Sequence, residues 1–337
     1  MRRYTPVIVL AVLATFVGEV LLGATTLSRL GGLLVVTPLY GGGAVLIREL
    51  ARRRVSGWGR IALLGAAYAI VEEGLAIQSL FNPDLFNAGI LGGRALGVNW
   101  VWTEWTVGYH IVWSIIIPIL LTELLFPARR AEPWLGRTGV AVAGVVYALG
   151  ALAIAAIFRL VIMPDFRAPV VLLAGAALLV IGLVALALGW PVRPAALPSS
   201  SPVRDAPAAW LVGLVTFLAA VAWFALLGLP DALRAGALVL VPMLAEVALV
   251  AGVVALLRRW SAAGRGWTDL HRLALAFGAL LVSMLVGFFA VTASNPVDQL
   301  GQGVASVVAV MLLVLFARRL QQRSRVRVES RQDMPAT

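Results

Sequence analysis

The chain is dominated by long apolar stretches, separated by short segments rich in arginine, glycine and proline. A helix that crosses a bilayer needs roughly 20 predominantly apolar residues. Ten stretches have about this length, and they cover residues 5–23, 30–50, 59–80, 104–126, 138–161, 168–190, 209–228, 234–257, 269–292 and 300–317. The pattern predicts an all-α fold, a polytopic membrane bundle of about ten transmembrane helices.

The composition supports this interpretation. Of the 337 residues, 61% are hydrophobic and only 13% are charged, and the mean hydropathy is +0.96. Soluble domains contain about 45–50% apolar and about 25% charged residues. A water-soluble enzyme and a disordered chain are therefore excluded. The first stretch is long for a signal peptide and carries Glu19, so it is predicted to be a retained helix.

The positions of the arginines predict the orientation in the membrane. All 27 basic residues are arginine, a usage typical of high-GC bacterial genomes, which favours the bacterial inner (plasma) membrane. Basic residues collect on cytoplasmic loops. If the N-terminus is cytoplasmic, few arginines remain outside, namely Arg29, Arg94, Arg159, Arg167 and Arg234. Both termini are therefore predicted to be cytoplasmic, with 81–103 as the longest external loop.

The same distribution explains the net charge of +11. Because membrane topology accounts for the arginines, no nucleic acid partner is expected, and membrane lipids are the expected surroundings.

A weak internal similarity suggests a domain organisation. Residues 34–54 and 238–259 both have an early proline and both end in arginine, and the next span ends in Asn-Pro in each case. These features favour a parallel repeat of helices 1–4 and 7–10, although apolar helices that end in arginine also resemble each other by chance. The predicted parts are a four-helix unit with the polar site, two helices plus a Pro/Ser-rich cytoplasmic linker, a second four-helix unit and a basic cytoplasmic tail, at 1–137, 138–208, 209–320 and 321–337.

Four ionisable residues are predicted to lie at one level of the membrane. Glu19, Glu72, Glu73 and His110 all fall within apolar stretches. At a rise of ~1.5 Å per residue, each lies in the outer half of a hydrocarbon core ~30 Å thick. Ionisable groups are expensive inside a bilayer, so such a cluster is a functional candidate by default.

Helical periodicity separates the two adjacent carboxylates. The face of Glu72 carries small or polar residues, namely Gly65, Ala69, Ala76 and Ser79. Small residues allow close helix contact, so Glu72 is predicted to point into the bundle. Glu73 is rotated by about 100° and shares its side with apolar residues. On the fourth helix, His110 and Ser114 lie on one polar stripe.

The second helix is predicted to be interrupted. It contains Thr37-Pro38 and the glycines at 41–43, and broken helices often form substrate or ion sites in transporters. The alternative is that the glycines only permit close packing.

These residues favour a transporter-like protein with a protonatable site. Glu72 is the predicted proton or cation carrier and His110 is its partner. Glu19, Glu73, Ser114 and Glu246 are the predicted substrate- or ion-binding residues. Glu246 either lines a cavity or pairs with Arg159. The expected ligand is an unknown small molecule or ion.

Two alternatives remain open. In an intramembrane hydrolase, Glu72 would activate water and His110 would stabilise an oxyanion. In a non-catalytic assembly or regulatory subunit, the pair would only lock helices together. Further charged residues lie near the predicted membrane interfaces, where solvation or snorkelling suffices: Glu104, Glu123 and Arg48-Glu49.

No cofactor and no metal are expected. The chain has no cysteine and only two histidines, His110 and His271, which excludes thiolate and histidine-rich metal sites. A carboxylate-rich site at Glu72, Glu73 and His110 is conceivable by ligand type, but no further metal-binding pattern accompanies it.

Three segments carry a family resemblance. EEGLAIQSLFNP (72–83), GVNWVW (97–102) and HIVWSIIIPILLTELLFP (110–127) resemble a group of uncharacterised prokaryotic multipass membrane proteins. A more distant similarity is to the CAAX-protease and bacteriocin-processing (CPBP) intramembrane proteases, in which a Glu-Glu pair and a later His would match Glu72, Glu73 and His110. The sequence departs from that family's pattern at Ile77 and Thr106, and Asn295 is the only candidate for its later motif.

Overall fold

The computed structural model describes residues 3–53, 57–189, 205–228, 236–262, 266–292 and 295–332. These residues form eleven α-helices. In chain order the helices are α1 (Thr5–Thr15), α2 (Leu33–Arg52), α3 (Trp58–Ala69), α4 (Trp100–Tyr109), α5 (Ile117–Leu125), α6 (Arg137–Ile157), α7 (Val170–Gly189), α8 (Ala209–Leu227), α9 (Leu240–Ala262), α10 (Asp269–Thr292) and α11 (Pro296–Gln332). Each of the ten predicted apolar stretches overlaps a helix, with α4 and α5 sharing one stretch.

Eight helical segments within the described ranges are long and apolar enough to cross a membrane. They are Leu27–Arg52, Trp100–Leu125, Arg137–Ile162, Val170–Gly189, Ala209–Leu227, Gly236–Ala262, Asp269–Val291 and Pro296–Arg323. The first predicted span forms a shorter apolar helix, Thr5–Val20. The third predicted span, residues 59–80, carries Arg60, Glu72 and Glu73, which make it less apolar. The fold is an all-α membrane helix bundle, and the number of ten crossings stays a prediction.

Several helices contain a π-helical turn. The turns are Phe16–Val20 after α1, Ile70–Ala76 after α3, His110–Ile116 between α4 and α5, and Phe158–Ile162 after α6. Three of them contain the ionisable residues that were predicted to form the site. Because π turns are rare and frequently occur at functional sites, this coincidence directs attention to the same cluster.

The chain divides into two compact units. Unit 1 comprises the described parts of Met1–Glu19, Arg29–Ser200 and Ala222–Gly252, and unit 2 comprises those of Val20–Ser28, Ser201–Val221 and Val253–Thr337. Every candidate site residue belongs to unit 1. The four-helix units and the parallel repeat stay predictions, and most of the predicted linker (190–204) lies outside the described residues.

Helix α2 runs through the core of unit 1 without interruption. The predicted break at Thr37-Pro38 and the glycines is therefore wrong. A Cβ added to Gly41 would lie 2.9 Å from the Cβ of Ala11 in α1. A Cβ added to Gly150 of α6 would lie 2.5 Å from the backbone nitrogen of Leu39 in α2. The glycines allow helices to pack closely, which is the alternative reading of this segment.

Unit 2 is held by polar contacts at the start of α11. Asp298 accepts hydrogen bonds from the backbone nitrogen and the hydroxyl of Ser28, at 2.7 and 2.8 Å. One turn later, the Gln302 amide donates to the carbonyl of Leu21 at 2.9 Å. These contacts join the segment after α1 to α11 within this unit.

The predicted external loop folds into a compact structure. It contains a 3₁₀ segment (Leu85–Leu91) and a hairpin of two short antiparallel strands, β1 (Arg94–Ala95) and β2 (Val98–Asn99). The residues between the strands, Leu96 and Gly97, have φ of 54° and 80°. Positive φ at both positions is the geometry of a type I′ turn. The loop thus combines a 3₁₀ segment with a small hairpin.

Candidate functional site

His110 lies between two carboxylates in the interior of unit 1. Its Nε2 is 3.0 Å from Glu73 Oε1, and its Nδ1 is 3.4 Å from Glu72 Oε2. The exposed fractions of Glu72, Glu73 and His110 are 2%, 5% and 3%. The structure therefore brings together the three residues that the sequence placed at one depth.

The π turn explains how two consecutive residues face one imidazole. In Ile70–Ala76 the backbone nitrogen of Ile77 donates to the carbonyl of Glu72, five residues earlier, at 2.8 Å. This wider turn changes the angular spacing that a regular α-helix would impose. The prediction that Glu73 shares an apolar side, away from Glu72, is consequently wrong, because both carboxylates contact His110.

Ser114 completes the surroundings of the imidazole. Its hydroxyl lies 3.0 Å from His110 Nδ1, one turn along the π segment. In a neutral imidazole only one ring nitrogen carries a proton. With Nε2–H donating to Glu73, Nδ1 accepts a hydrogen bond from Ser114. In the imidazolium form Nδ1–H becomes a donor to Ser114, and Glu72 Oε2, 3.4 Å from Nδ1, is in ion contact with the ring without a hydrogen bond.

Three tyrosine rings lie close to the imidazole of His110. The rings of Tyr40, Tyr68 and Tyr109 lie 6.1, 5.8 and 5.5 Å from the His110 ring, measured between centroids. The hydroxyls of Tyr40 and Tyr68 lie within electrostatic range of the Glu72 carboxylate. These tyrosines were missed in the sequence, where only ionisable residues at shared depth were considered.

Glu19 also belongs to this neighbourhood. It interacts electrostatically with His110 and with Tyr40. It lies in the π turn of α1, where the carbonyl of Gly18 accepts a hydrogen bond of 2.9 Å from the Tyr109 hydroxyl. Glu19 is thus placed near the pair, as expected from its depth.

Two buried oxygen atoms of the site have no hydrogen-bond partner. Among the described residues, Glu72 Oε2 and the Tyr68 hydroxyl are both unpartnered. The ion pairs recorded for Glu72 and Glu73 are both with His110. Two carboxylates therefore share one imidazole, which leaves a net negative charge when all three are ionised. The same described ranges contain no group of three or more His, Cys, Asp or Glu arranged to hold a metal ion.

Glu246 lies apart from this cluster. Its carboxyl group lies within electrostatic range of another carboxyl group, that of Glu104 at the start of the long α4–α5 helix. Within the described residues it forms no ion pair with Arg159, so that alternative is wrong. Glu104 is partly exposed and its Oε1 is buried without a hydrogen-bond partner among the described residues, so solvation of this residue at an interface stays a prediction.

The Arg48-Glu49 pair and Glu123 are also buried instead of snorkelling. Arg48 is fully buried and donates to Glu49 Oε1 at 3.0 Å and to Glu123 Oε1 at 3.3 Å. Arg52 donates to Glu123 Oε2 at 2.7 Å. The Trp134 ring stacks on the Arg48 guanidinium at 3.5 Å. The prediction that these side chains reach water by solvation or snorkelling is wrong, because the segment 127–136 covers them.

Comparison with known proteins identifies the family. A family model described as an uncharacterized membrane protein family matches residues 8–317. The chain belongs to this family. The resemblance to uncharacterised multipass membrane proteins is confirmed, and the family match extends well beyond the segments that first indicated it. The chain shows no match to the CPBP family. No curated protein and no solved structure matches the chain.

Membership of the family agrees with the apolar helices of the structure. The protein is an integral membrane protein with several helices long enough to span a bilayer.

Proposed function

We propose that this membrane protein is transporter-like, with a proton-binding site at Glu72, Glu73 and His110. One observation carries the proposal: two buried carboxylates share one imidazole, and Glu72 Oε2 has no hydrogen-bond partner among the described residues. An uncompensated buried charge costs several kcal/mol. The cluster therefore takes up a proton or a cation to balance its charge, which is the elementary step of ion-coupled transport.

The geometry suggests distinct roles for the two carboxylates. Glu73 is held by its contact with His110 Nε2 at 3.0 Å, so it orients the imidazole. Glu72 has the looser contact of 3.4 Å and the unpartnered oxygen, so it is the carrier. Protonation of Glu72 would leave the Nδ1 of His110 to interact with Ser114 alone, while Nε2 keeps its contact with Glu73. Glu19 adds negative charge nearby and favours uptake of a cation.

The proposal includes a topology. We place the protein in the bacterial inner membrane with both termini in the cytoplasm, because the arginines concentrate on one side of the predicted spans. The cluster then lies in the outer half of the membrane. An unknown small molecule or ion is the cargo.

Intramembrane hydrolysis is the second candidate. It is favoured by the distance of 3.4 Å between Glu72 Oε2 and His110 Nδ1, because a general base and its partner need to lie within reach of the same water molecule. A purely structural subunit is less well supported, since a locking pair would satisfy both oxygens of Glu72.

Cysteine accessibility tests the transporter against the hydrolase. The native chain has no cysteine, so single cysteines can be introduced at Ala69 and at Ala76, the residues that flank the carboxylates in α3 and its π turn. The protein is reconstituted in sealed vesicles and treated on one side with a membrane-impermeant maleimide. A transporter predicts that the two cysteines are labelled from opposite sides. A hydrolase predicts labelling from one side only.

A matched control is a cysteine at Ala276, which is as buried as Ala69 but lies in unit 2. It should stay unlabelled from both sides. Labelling of Ala69 and Ala76 at no more than the rate of Ala276 would contradict both functional candidates.

A further inference from the structure

Ser79 contacts both the candidate site and the start of α4. It is fully buried, and its hydroxyl donates a short hydrogen bond to Glu73 Oε2. The same hydroxyl accepts a hydrogen bond of 2.9 Å from the indole Nε1–H of Trp102. Helical periodicity predicts that Ser79 lies on the face of Glu72, and the sequence alone predicts no role for it.

The direction of these hydrogen bonds follows from their chemistry. An indole Nε1–H only donates, and a serine hydroxyl has a single proton. Because Ser79 accepts from Trp102, its own proton is available for the Glu73 carboxylate. The opposite oxygen of that carboxylate faces His110 Nε2 at 3.0 Å. Trp102 thus donates to Ser79, and Ser79 and the imidazole Nε2–H both donate to Glu73, so these hydrogen bonds converge on the Glu73 carboxylate and connect the indole with His110.

The backbone places Ser79 by reversing direction just after the π turn. Gln78 has a φ of 62°, in the left-handed region. The side-chain amide of Asn99 then donates to the carbonyls of Ser79 and Asn82, at 3.0 and 2.9 Å. The backbone nitrogen of Asn99 also donates to the carbonyl of Leu80 at 2.8 Å. The end of the hairpin therefore holds the segment that carries Ser79.

Trp102 is itself held in a row of aromatic rings. Its ring lies 5.4 Å from Phe86 in the 3₁₀ segment and 5.6 Å from Trp105, one turn along α4. Such offset ring contacts fix the plane of an indole. The position of the Nε1–H donor is thus determined by the loop.

We propose that Ser79 is a positioning residue that, together with Trp102, holds the Glu73 carboxylate against His110 and so couples the hairpin loop to the candidate site. This proposal deepens the proposed function, on which its consequence for transport rests. The converging hydrogen bonds orient Glu73, Glu73 orients the imidazole, and the imidazole presents Nδ1 to Glu72. Movement of the loop would change the site without any direct contact with Glu72.

Proton NMR of the histidine rings tests the positioning itself. The protein has two histidines, so ring-¹⁵N-labelled protein in lipid nanodiscs gives few signals, and His271→Asn assigns them. The His110 Nε2–H proton should resonate far downfield because it is bonded to a carboxylate. Ser79→Ala and Trp102→Phe should each shift this resonance upfield, whereas Ser79→Thr should restore it because threonine keeps the hydroxyl.

Ser283→Ala is the matched control. Ser283 is equally buried, but its hydroxyl donates to the carbonyl of Leu280 in its own helix at 3.0 Å. This variant should leave the His110 resonance unchanged. An unchanged resonance in Ser79→Ala, or the same shift in Ser79→Ala and Ser79→Thr, would overturn the positioning role.

Proton flux separates this proposal from the proposed function. The full-length protein is reconstituted in phosphatidylethanolamine/phosphatidylglycerol vesicles with an entrapped pH-sensitive dye, and a pH step is applied. Ser79→Ala should slow flux by about tenfold, the factor that loss of one hydrogen bond to a charged group carries. No flux in the unmodified protein, with the NMR shift present, would refute transport and retain the positioning role. Flux that is lost in Glu72→Gln but unchanged in Ser79→Ala would refute the coupling alone.

Discussion

Replacement of Arg48 by methionine should strongly destabilise unit 1. The guanidinium is fully buried and donates to Glu49 and Glu123. It also donates to three backbone carbonyls in the segment after α5, those of Arg129, Arg130 and Glu132, at distances between 2.7 and 3.2 Å. Methionine has a similar length but no donors, so Arg48→Met removes all of these contacts at once.

The size of the expected loss in the free energy of unfolding depends on the contacts that Glu49 and Glu123 keep when Arg48 is replaced. Removing one partner of a buried ion pair typically costs about 3–5 kcal/mol, because the other charge stays buried without compensation. Glu123 keeps its contact with Arg52 at 2.7 Å. Glu49 keeps hydrogen bonds from the backbone nitrogens of Trp134 and Leu135. Since both carboxylates retain partners, we expect a loss near the lower limit, about 3 kcal/mol.

Reversible unfolding in mixed micelles, followed by circular dichroism, measures this loss. The matched control is Arg53→Met, because Arg53 is exposed and donates one hydrogen bond, to the Leu135 carbonyl at 2.8 Å. The control should change the free energy of unfolding by at most about 0.5 kcal/mol. The free energy of unfolding of Arg48→Lys should lie between those of Arg48→Met and Arg53→Met, since lysine keeps the charge but not the planar set of donors. Equal stability of Arg48→Met and Arg53→Met would refute the argument.

Three further predictions concern packing, topology and the site. Gly150→Ala should lower the melting temperature, because its Cβ would meet the backbone of α2, whereas Gly144→Ala in the same helix meets nothing within 4 Å and should be neutral or stabilising; thermal unfolding compares the two. A cysteine at Ser200, in the predicted linker outside the described residues, should not be labelled by an impermeant maleimide added from outside the cell. Rapid labelling would show that the predicted orientation in the membrane is wrong. Glu72→Gln should keep the melting temperature and abolish proton flux. His110→Ala should lower both the melting temperature and the proton flux. Unchanged flux in Glu72→Gln and His110→Ala would leave only a structural role for these two residues.

The elements of this fold could be read from the sequence because a bilayer imposes a simple condition. Without water, each backbone polar group has to find its partner within its own helix, so the length of an apolar stretch predicts a helix. The same reasoning predicted the residues of the candidate site. Glu19, Glu72, Glu73 and His110 interrupt apolar stretches at similar depths, and the cost of burying each of them alone favours their meeting.

Only the tertiary structure decided how these residues meet. A π turn shifts the hydrogen-bond partner by one residue, as in Ile77 to Glu72, and periodicity at 3.6 residues per turn cannot reveal it. The turn brought Glu73 to His110, and the reversal at Gln78 brought Ser79 back to Glu73.

The burial of Arg48 at the predicted membrane interface was also decided by the tertiary structure. Sequence position placed Arg48 near the end of a helix, where an arginine ordinarily reaches water. The segment 127–136 instead covers the guanidinium with carbonyls and the Trp134 ring. Local sequence therefore determines which segments are helical and which residues are costly to bury, because both depend on the chain's own hydrogen bonds and hydration. The partners that offset that cost come from distant segments, and only folding brings them into contact.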